Sequence, residues 1–255
     1  VSTLFRVYRR NEVRNNGLEI HDKNQCPFST ISPISPCYSM IMQDRILELR
    51  KEYSKAALDE THTAHEPIAQ FRNWFHEALA AKLIEPNAMM LATVNEAGRP
   101  SARIVLLRDV TDAGIVFYTN YLSRKAQEIE GQQFGCVTFF WPELERQVRL
   151  EGILTKIDAK ISDDYFALRP RGSQIGAWSS PQSNRVHSRK ELEENEESYT
   201  LKFEGMDVPR PPHWGGYLLT PDYVEFWQGR ENRLHDRICY SQQTAGDWER
   251  YRIAP

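Results

Sequence analysis

Short apolar runs separated by short polar turns dominate the middle of this chain, and that punctuation limits the fold more than any other feature. Ala88 to Val94 is followed by a turn at Asn95 to Gly98, then by Ser101 to Leu107, a polar turn at Asp109 to Gly114, and Ile115 to Thr119. Connections this brief join antiparallel neighbours, because parallel strands need a long crossover. Further strands are read at Gly135 to Trp141 and Gln147 to Thr155, across a proline-containing turn, and at Gly216 to Leu219, Tyr223 to Gln228 and Arg233 to Ser241. Helices are read at Leu122 to Glu130, at Asp158 to Arg169 with Pro170 as the stop, and from a Ser188/Glu191 capping box to about Phe203. Gly172 to Ser183 lacks a period and reads as loop, and Pro209, Pro211 and Pro212 read as a rigid linker. The sum is a mainly β fold with peripheral helices, a small barrel of roughly eight strands.

Ahead of the strands, Pro67 suits the first position of a helix whose buried face would be Ile68, Phe71, Phe75, Leu79 and Leu83. Met42, Ile46, Leu49, Tyr53 and Ala57 predict an earlier helix over residues 42–58. Residues 1–40 show no core period and space Pro27, Pro33 and Pro36 through Ser and Thr. They read as a disordered tail or upstream extension, leaving residues 41–255 as a single domain. The net charge of −3 carries no nucleic-acid signature. No apolar run approaches the roughly 18 residues of a membrane helix. Cys26, Cys37, Cys136 and Cys239 form no Cys-x-x-Cys pair, so reduced cysteines and a cytoplasmic location are expected. His62 and His65 have no Cys or His partners nearby, so no metal site is expected.

No Gly-x-Gly-x-x-Gly, Walker A, His-Glu-x-x-His or Gly-x-Ser-x-Gly is present. What remains is a set of arginines and hydroxyls at the ends of elements. Arg103 and Arg108 flank four apolar residues and point to opposite faces of a strand, either towards two anions or as snorkelling edge cations. Tyr118-Thr119 runs into Ser123-Arg124-Lys125, where two cations and helix N-terminal amides would suit a phosphate, or Ser123 is an ordinary N-cap. Tyr165 and Arg169 lie one helical turn apart, with Ser173 beyond Pro170, forming a second anion candidate or a plain C-terminal arginine. If residues 233–238 are extended, Arg233, His235 and Arg237 share one face; their alternative is surface pairing with Asp236 and Glu231.

Glu225-Phe226-Trp227-Gln228-Gly229 followed by Arg233-Leu234-His235-Asp236-Arg237 closely resembles the C-terminal signature of the pyridoxine (pyridoxamine) 5'-phosphate oxidase family, and Arg252-Ile253-Ala254-Pro255 resembles its terminus. The resemblance runs from about residue 47 to 255. It implies an FMN-binding split β-barrel, assembled as a homodimer with shared active sites. It also implies oxidation of pyridoxamine 5'-phosphate and pyridoxine 5'-phosphate to pyridoxal 5'-phosphate, with molecular oxygen as acceptor and hydrogen peroxide as product. By this resemblance, the strand of Arg103, Ile104, Val105, Leu106, Leu107 and Arg108 binds the flavin, and Tyr118, Thr119, Arg124 and Lys125 hold its phosphate. Gln147, Gln182, Ser183, Trp227 and Arg237 are further FMN contacts. Tyr165, Arg169 and Ser173 match the substrate-phosphate residues, joined by Arg108 where the family usually has lysine. Arg233 and His235 would hold and orient the substrate ring, and the segment with Arg50 and Tyr53 resembles one that folds over it. Glu85 ranks low as a catalytic candidate. The alternatives are a split-barrel flavoprotein with another substrate and a non-catalytic FMN or pyridoxal-phosphate binding protein.

Overall fold

The computed structural model describes residues 52–255. Arg50, the tail over residues 1–40 and most of the helix read at 42–58 lie outside the described residues. Residues 52–58 are irregular rather than helical. The backbone N–H groups of Ser54 and Lys55 donate to Glu145 (2.9 and 3.1 Å) and that of Leu58 to Asp236 (3.0 Å). These side-chain acceptors take amides that a helix would have used internally, so the segment lies against the rest of the fold in extended form.

Among the described residues there are five α-helices and nine strands. Helix α1 (Pro67–Ala80) starts with proline at its first turn and buries Ile68, Phe71, Trp74 and Ala78. Phe75 is only partly buried and Leu79 is 50% exposed, so the buried stripe differs from the expected one. Both stripes have three- and four-residue spacing, so period alone does not separate them. The core takes the larger indole of Trp74, edge-on to Phe226 at 5.2 Å, while Phe71 meets Phe139 at 5.0 Å.

The strands are β1 (Ala88–Val94), β2 (Pro100–Leu106), β3 (Asp109–Val110), β4 (Ile115–Asn120), β5 (Phe134–Trp141), β6 (Arg146–Lys156), β7 (Trp214–Gln228), β8 (Asp236–Gln242) and β9 (Trp248–Arg252). They form one antiparallel sheet in the order β2-β1-β5-β6-β7-β4-β3, with β8 on β7 and β9 on β8. The two strands expected over 216–228 are one 15-residue strand. Its first half pairs with β4 and its second with β8, while β6 follows it throughout. The change of partner falls at Pro221, which has no N–H to give, opposite a bulge at Glu151/Gly152. A Cβ on Gly152 would lie 2.1 Å from the Thr220 carbonyl oxygen, so only glycine permits this approach. The bulge curls the sheet round the main core of Phe71, Phe117, Phe139, Leu150, Tyr217 and Phe226.

Helices α2 (Arg124–Gly131), α3 (Ala159–Ala167), α4 (Arg171–Ser179) and α5 (Arg189–Lys202) surround the sheet. Helix α4 replaces much of the loop expected at 172–183. Pro170 both follows α3 and serves as the N-cap of α4, and Gln174, Ile175 and Ser179 give the helix too few apolar positions for a visible period. Phe166, Ile175, Phe203, Val208 and Trp214 make a second, smaller core. Strand β9 was hidden by charges at Glu249, Arg250 and Arg252, and β3 occupies part of an expected turn.

Candidate active site

Strand β2, the end of β4, the start of α2, the end of α3 and the segment after α4 enclose a cleft of about 550 Å3. Arg103, Ile104, Val105, Leu106 and Arg108 line one side; Tyr118, Thr119, Arg124, Lys125, Gln182 and Ser183 line another, with Asn120, Tyr165, Arg169 and Trp214 completing the wall. Leu107, just past the end of β2, is buried in the main core instead.

The turn from β4 into α2 is tight. Asn120 Oδ1 accepts from the Leu122 N–H (2.8 Å), and the Ser123 hydroxyl donates back to the Asn120 carbonyl (2.7 Å). Ser123 therefore occupies the N-cap position without capping through its side chain. Lys125 Nζ donates to Gln182 Oε1 (2.8 Å) and Thr119 Oγ1 (3.1 Å). Burial, then the charge of Arg103, pulls the Lys125 ammonium down to about 8. Arg103 donates to Thr93 Oγ1 and Ser101 Oγ (both 2.6 Å) and pairs with Glu128 (3.1 Å), which also pairs with Arg124 (2.9 Å). Burial alone would raise the Glu128 carboxyl. Hydrogen bonds from Thr93, Ser101 and Arg124, with the Arg124 charge, outweigh it and hold the group at about 2. Arg103, Arg124 and Lys125 thus face one carboxylate, leaving an excess of positive charge suited to a phosphate.

The other end of the cleft is aromatic. Tyr118 stacks on Tyr165 (4.0 Å, 9°) and on Trp214 (5.2 Å, 8°). Burial, then the neighbouring Tyr165, raises the Tyr118 phenol to about 12. The Arg169 guanidinium lies over Trp214 at 4.6 Å, and its buried Nη1 has no hydrogen-bond acceptor. Burial, opposed by Tyr165 and reinforced by the charge of Arg108, lowers the Arg169 pKa. Ser173 is exposed in the first turn of α4 and does not line this cleft.

The remaining predicted residues lie elsewhere on the sheet. Gln147, Trp227 and Arg237 are directly paired across β6, β7 and β8, so their side chains leave one face in a row. Trp227 packs against His235 (4.6 Å), and Tyr53 meets both rings at 5.7 and 5.8 Å. His235 Nδ1 accepts from the Arg230 backbone N–H (3.1 Å), so the neutral ring carries its hydrogen on Nε2. Burial, then the charge of Arg233, lowers the His235 pKa. The arrangement differs from the extended strand predicted at 233–241. Glu231–Arg233 is a short 3-10 turn, Asn232 and Arg233 have φ of 54° and 60°, and β8 starts only at Asp236. Arg233, His235 and Arg237 therefore do not form a period-two face. Arg237 gives two bonds of 2.9 Å to Glu225 and one to the Ala254 carbonyl, rather than facing the cleft. Glu85 sits after α1 in the left-handed region (φ 46°), outside both groups. Glu128, Trp214, Asn120 and Glu225 were missed; the four-residue spacing of Arg124 and Glu128 was the one available signal.

A curled antiparallel sheet with helices round a cation-lined cleft is the split-barrel architecture. Residues 75–200 match the pyridoxamine 5'-phosphate oxidase family, and residues 214–255 match the pyridoxine 5'-phosphate oxidase C-terminal dimerisation region. A pyridoxine/pyridoxamine 5'-phosphate oxidase of Burkholderia lata is 53% identical over 212 residues, covering 82% of this chain and 99% of the relative. That of Rubrobacter xylanophilus is 54% identical over 207 residues, covering 81% and 95%. Among solved structures, PhzG from Burkholderia lata, in complex with tetrahydrophenazine-1-carboxylic acid, matches with a TM-score of 0.75 at 28% identity, covering 79% of this chain and 99% of that one. A pyridoxamine 5'-phosphate oxidase-related, FMN binding protein from Nostoc punctiforme matches with a TM-score of 0.59 at 21% identity, covering 72% and 97%. The chain belongs to the pyridoxine/pyridoxamine 5'-phosphate oxidase family, a family of oxidoreductases. Among the described residues no helix is long and apolar enough to cross a membrane.

Proposed function

We propose that this chain uses FMN to oxidise pyridoxamine 5'-phosphate and pyridoxine 5'-phosphate to pyridoxal 5'-phosphate, with molecular oxygen as acceptor and hydrogen peroxide as product. The observation that carries the reading is that one cleft is lined by two groups of cations. Arg103 and Arg124 share the Glu128 carboxylate, with Lys125 on Thr119 and Gln182 beside them, in one group, and Arg169 holds a buried, unaccepted N–H near Arg108 in the other. Two phosphate-bearing molecules fit that pair, and a single phosphorylated ligand does not need both. FMN, when bound, would supply two-electron redox chemistry for loss of hydride from the substrate C4', with oxygen reduced to peroxide; for the amine, water then hydrolyses the imine and ammonia leaves.

This chain's residues would bind and align. Arg124, Lys125 and Thr119 hold the cofactor phosphate, with Arg103, Gln182 and Ser183 beside it; Arg169, Arg108 and Tyr165 hold the substrate phosphate. Gln147, Trp227, Arg237, Arg233 and His235 are separate from that cleft within one chain. We assign them to the site of a second copy, so that a symmetric dimer completes two shared sites. The match of residues 214–255 to a dimerisation region supports this assignment. His235 would present Nε2–H to the substrate, and Arg233 would pack over its ring. Two successive non-glycine residues at positive φ put Arg233 in a costly backbone state, which functional positions tolerate.

An aerobic assay of the FMN-loaded protein with pyridoxamine 5'-phosphate, following aldehyde absorbance and peroxide, tests the proposal. Turnover without peroxide removes the oxygen step. No turnover of either phosphorylated vitamer, with turnover of a phosphate-free polycyclic acid, would place the activity nearer that of PhzG.

A further inference from the structure

We propose that Trp214 is a positioning residue for the substrate phosphate: it holds the Arg169 guanidinium by stacking, so that no carboxylate needs to. This inference rests on the function proposed above. The contrast with other arginines of the chain is the starting point. Arg103 is held by Glu128, and Arg149 and Arg237 are both held by Glu225. A carboxylate fixes a guanidinium but uses its N–H groups and cancels its charge. Among the described residues no carboxylate pairs with Arg169, and its buried Nη1 has no acceptor. It is instead set over the Trp214 ring at 4.6 Å and near Phe166 at 5.5 Å. A ring face orients a guanidinium through its π electrons and leaves the N–H edges unspent.

Trp214 is itself well fixed. It is 6% exposed, opens β7 opposite Asn120 of β4, and lies nearly parallel to Tyr118 at 5.2 Å. Its carbonyl accepts from Arg210 Nη1 (2.6 Å) and its N–H donates to the Pro211 carbonyl (3.0 Å). Arg108 adds a like charge close enough to depress Arg169, so the pair is poised for an anion and not for each other. The geometry therefore assigns a share of phosphate selectivity to an aromatic residue that acts through Arg169.

The test uses full-length, FMN-loaded chain with W214F, W214Y and W214L. KM for pyridoxamine 5'-phosphate should rise in the order Trp, then Tyr and Phe, then Leu, reaching roughly tenfold in Leu, the scale of one lost cation–π contact. The kcat should change less than KM, and kcat/KM for unphosphorylated pyridoxamine should fall less than kcat/KM for the phosphorylated amine. The inhibition constant of inorganic phosphate should rise in the same order, a readout that a general packing defect would not reproduce. Equal KM values across W214F, W214Y and wild type overturn the inference, even if W214L fails to fold. So does an equal loss on the phosphorylated and unphosphorylated amines. If wild type itself treats the two amines alike, the phosphate site proposed above fails first; discrimination by wild type with no shift in the variants removes only the role of Trp214.

Discussion

Replacing Arg169 with methionine separates binding from folding. In the chain without substrate, the buried Nη1 lacking an acceptor costs about 1–3 kcal/mol. The stacking on Trp214 offsets about 0.5–2 kcal/mol of that. Arg108 nearby adds repulsion. Methionine keeps much of the volume and removes all three effects, so unfolding stability should stay within about 1 kcal/mol of wild type. For a chain of this size that is a midpoint shift within about 2–4 °C. Substrate binding should respond very differently. A hydrogen bond to a charged group contributes about 1.5–3 kcal/mol, so KM for pyridoxamine 5'-phosphate should rise roughly 10- to 150-fold. Thermal unfolding of apo and FMN-loaded protein, with steady-state kinetics on the same preparations, measures both quantities. A loss of more than about 3 kcal/mol in stability with KM unchanged would refute the reasoning. It would mean that the arginine serves the fold and that its unaccepted N–H is not aimed at a ligand.

The remaining predictions concern the cradle, the pH response, the bulge and the shared site. Glu128→Ala should destabilise by about 3–5 kcal/mol, because it strands Arg103 partly buried without its carboxylate; urea unfolding with Glu128→Gln as the milder control checks this. The Glu128 pKa is depressed to about 2, so its contribution is complete above its unfolded value and lost as pH falls towards 2; acid unfolding should be less steep in Glu128→Gln. Lys125 is depressed to about 8, so FMN affinity measured by fluorescence quenching should weaken as pH rises through that value, and Lys125→Met should flatten the profile. Gly152→Ala forces a Cβ onto the Thr220 carbonyl and should cost at least about 1–3 kcal/mol in chemical denaturation. Arg169→Ala and His235→Ala chains, each impaired when assayed with substrate well below KM, should on unfolding and refolding together recover up to about a quarter of wild-type sites if each site draws one residue from each subunit; no recovery from well-folded mixed dimers would oppose sharing.

Local pattern was enough to read most of the sheet. Ala88–Val94 was an apolar run bounded by the Asn95–Gly98 turn, and β4, β5 and β6 were legible as similar runs between polar turns. Pro67 and the Ser188/Glu191 box set two helix starts, because capping and proline act within a single turn. The residue types of the cleft were also visible, since arginines at element ends rarely serve a core. What local pattern could not supply was anything that depends on distant partners. Pro221 looked like a break between strands, yet β6 pairs along both halves and the bulge at Gly152 absorbs the irregularity. The 233–241 run looked extended, yet left-handed Asn232 and Arg233 turn the chain, while Arg252 and the Leu58 amide hold Asp236 from remote segments. Trp214 and Glu128 matter because of what folding brings beside them: a guanidinium without a carboxylate in one case, and two arginines sharing a buried carboxylate in the other. Charge and chemistry were properties of the residues themselves; which cations were neutralised, and which were left for a ligand, was decided only when the sheet curled and set them against their partners.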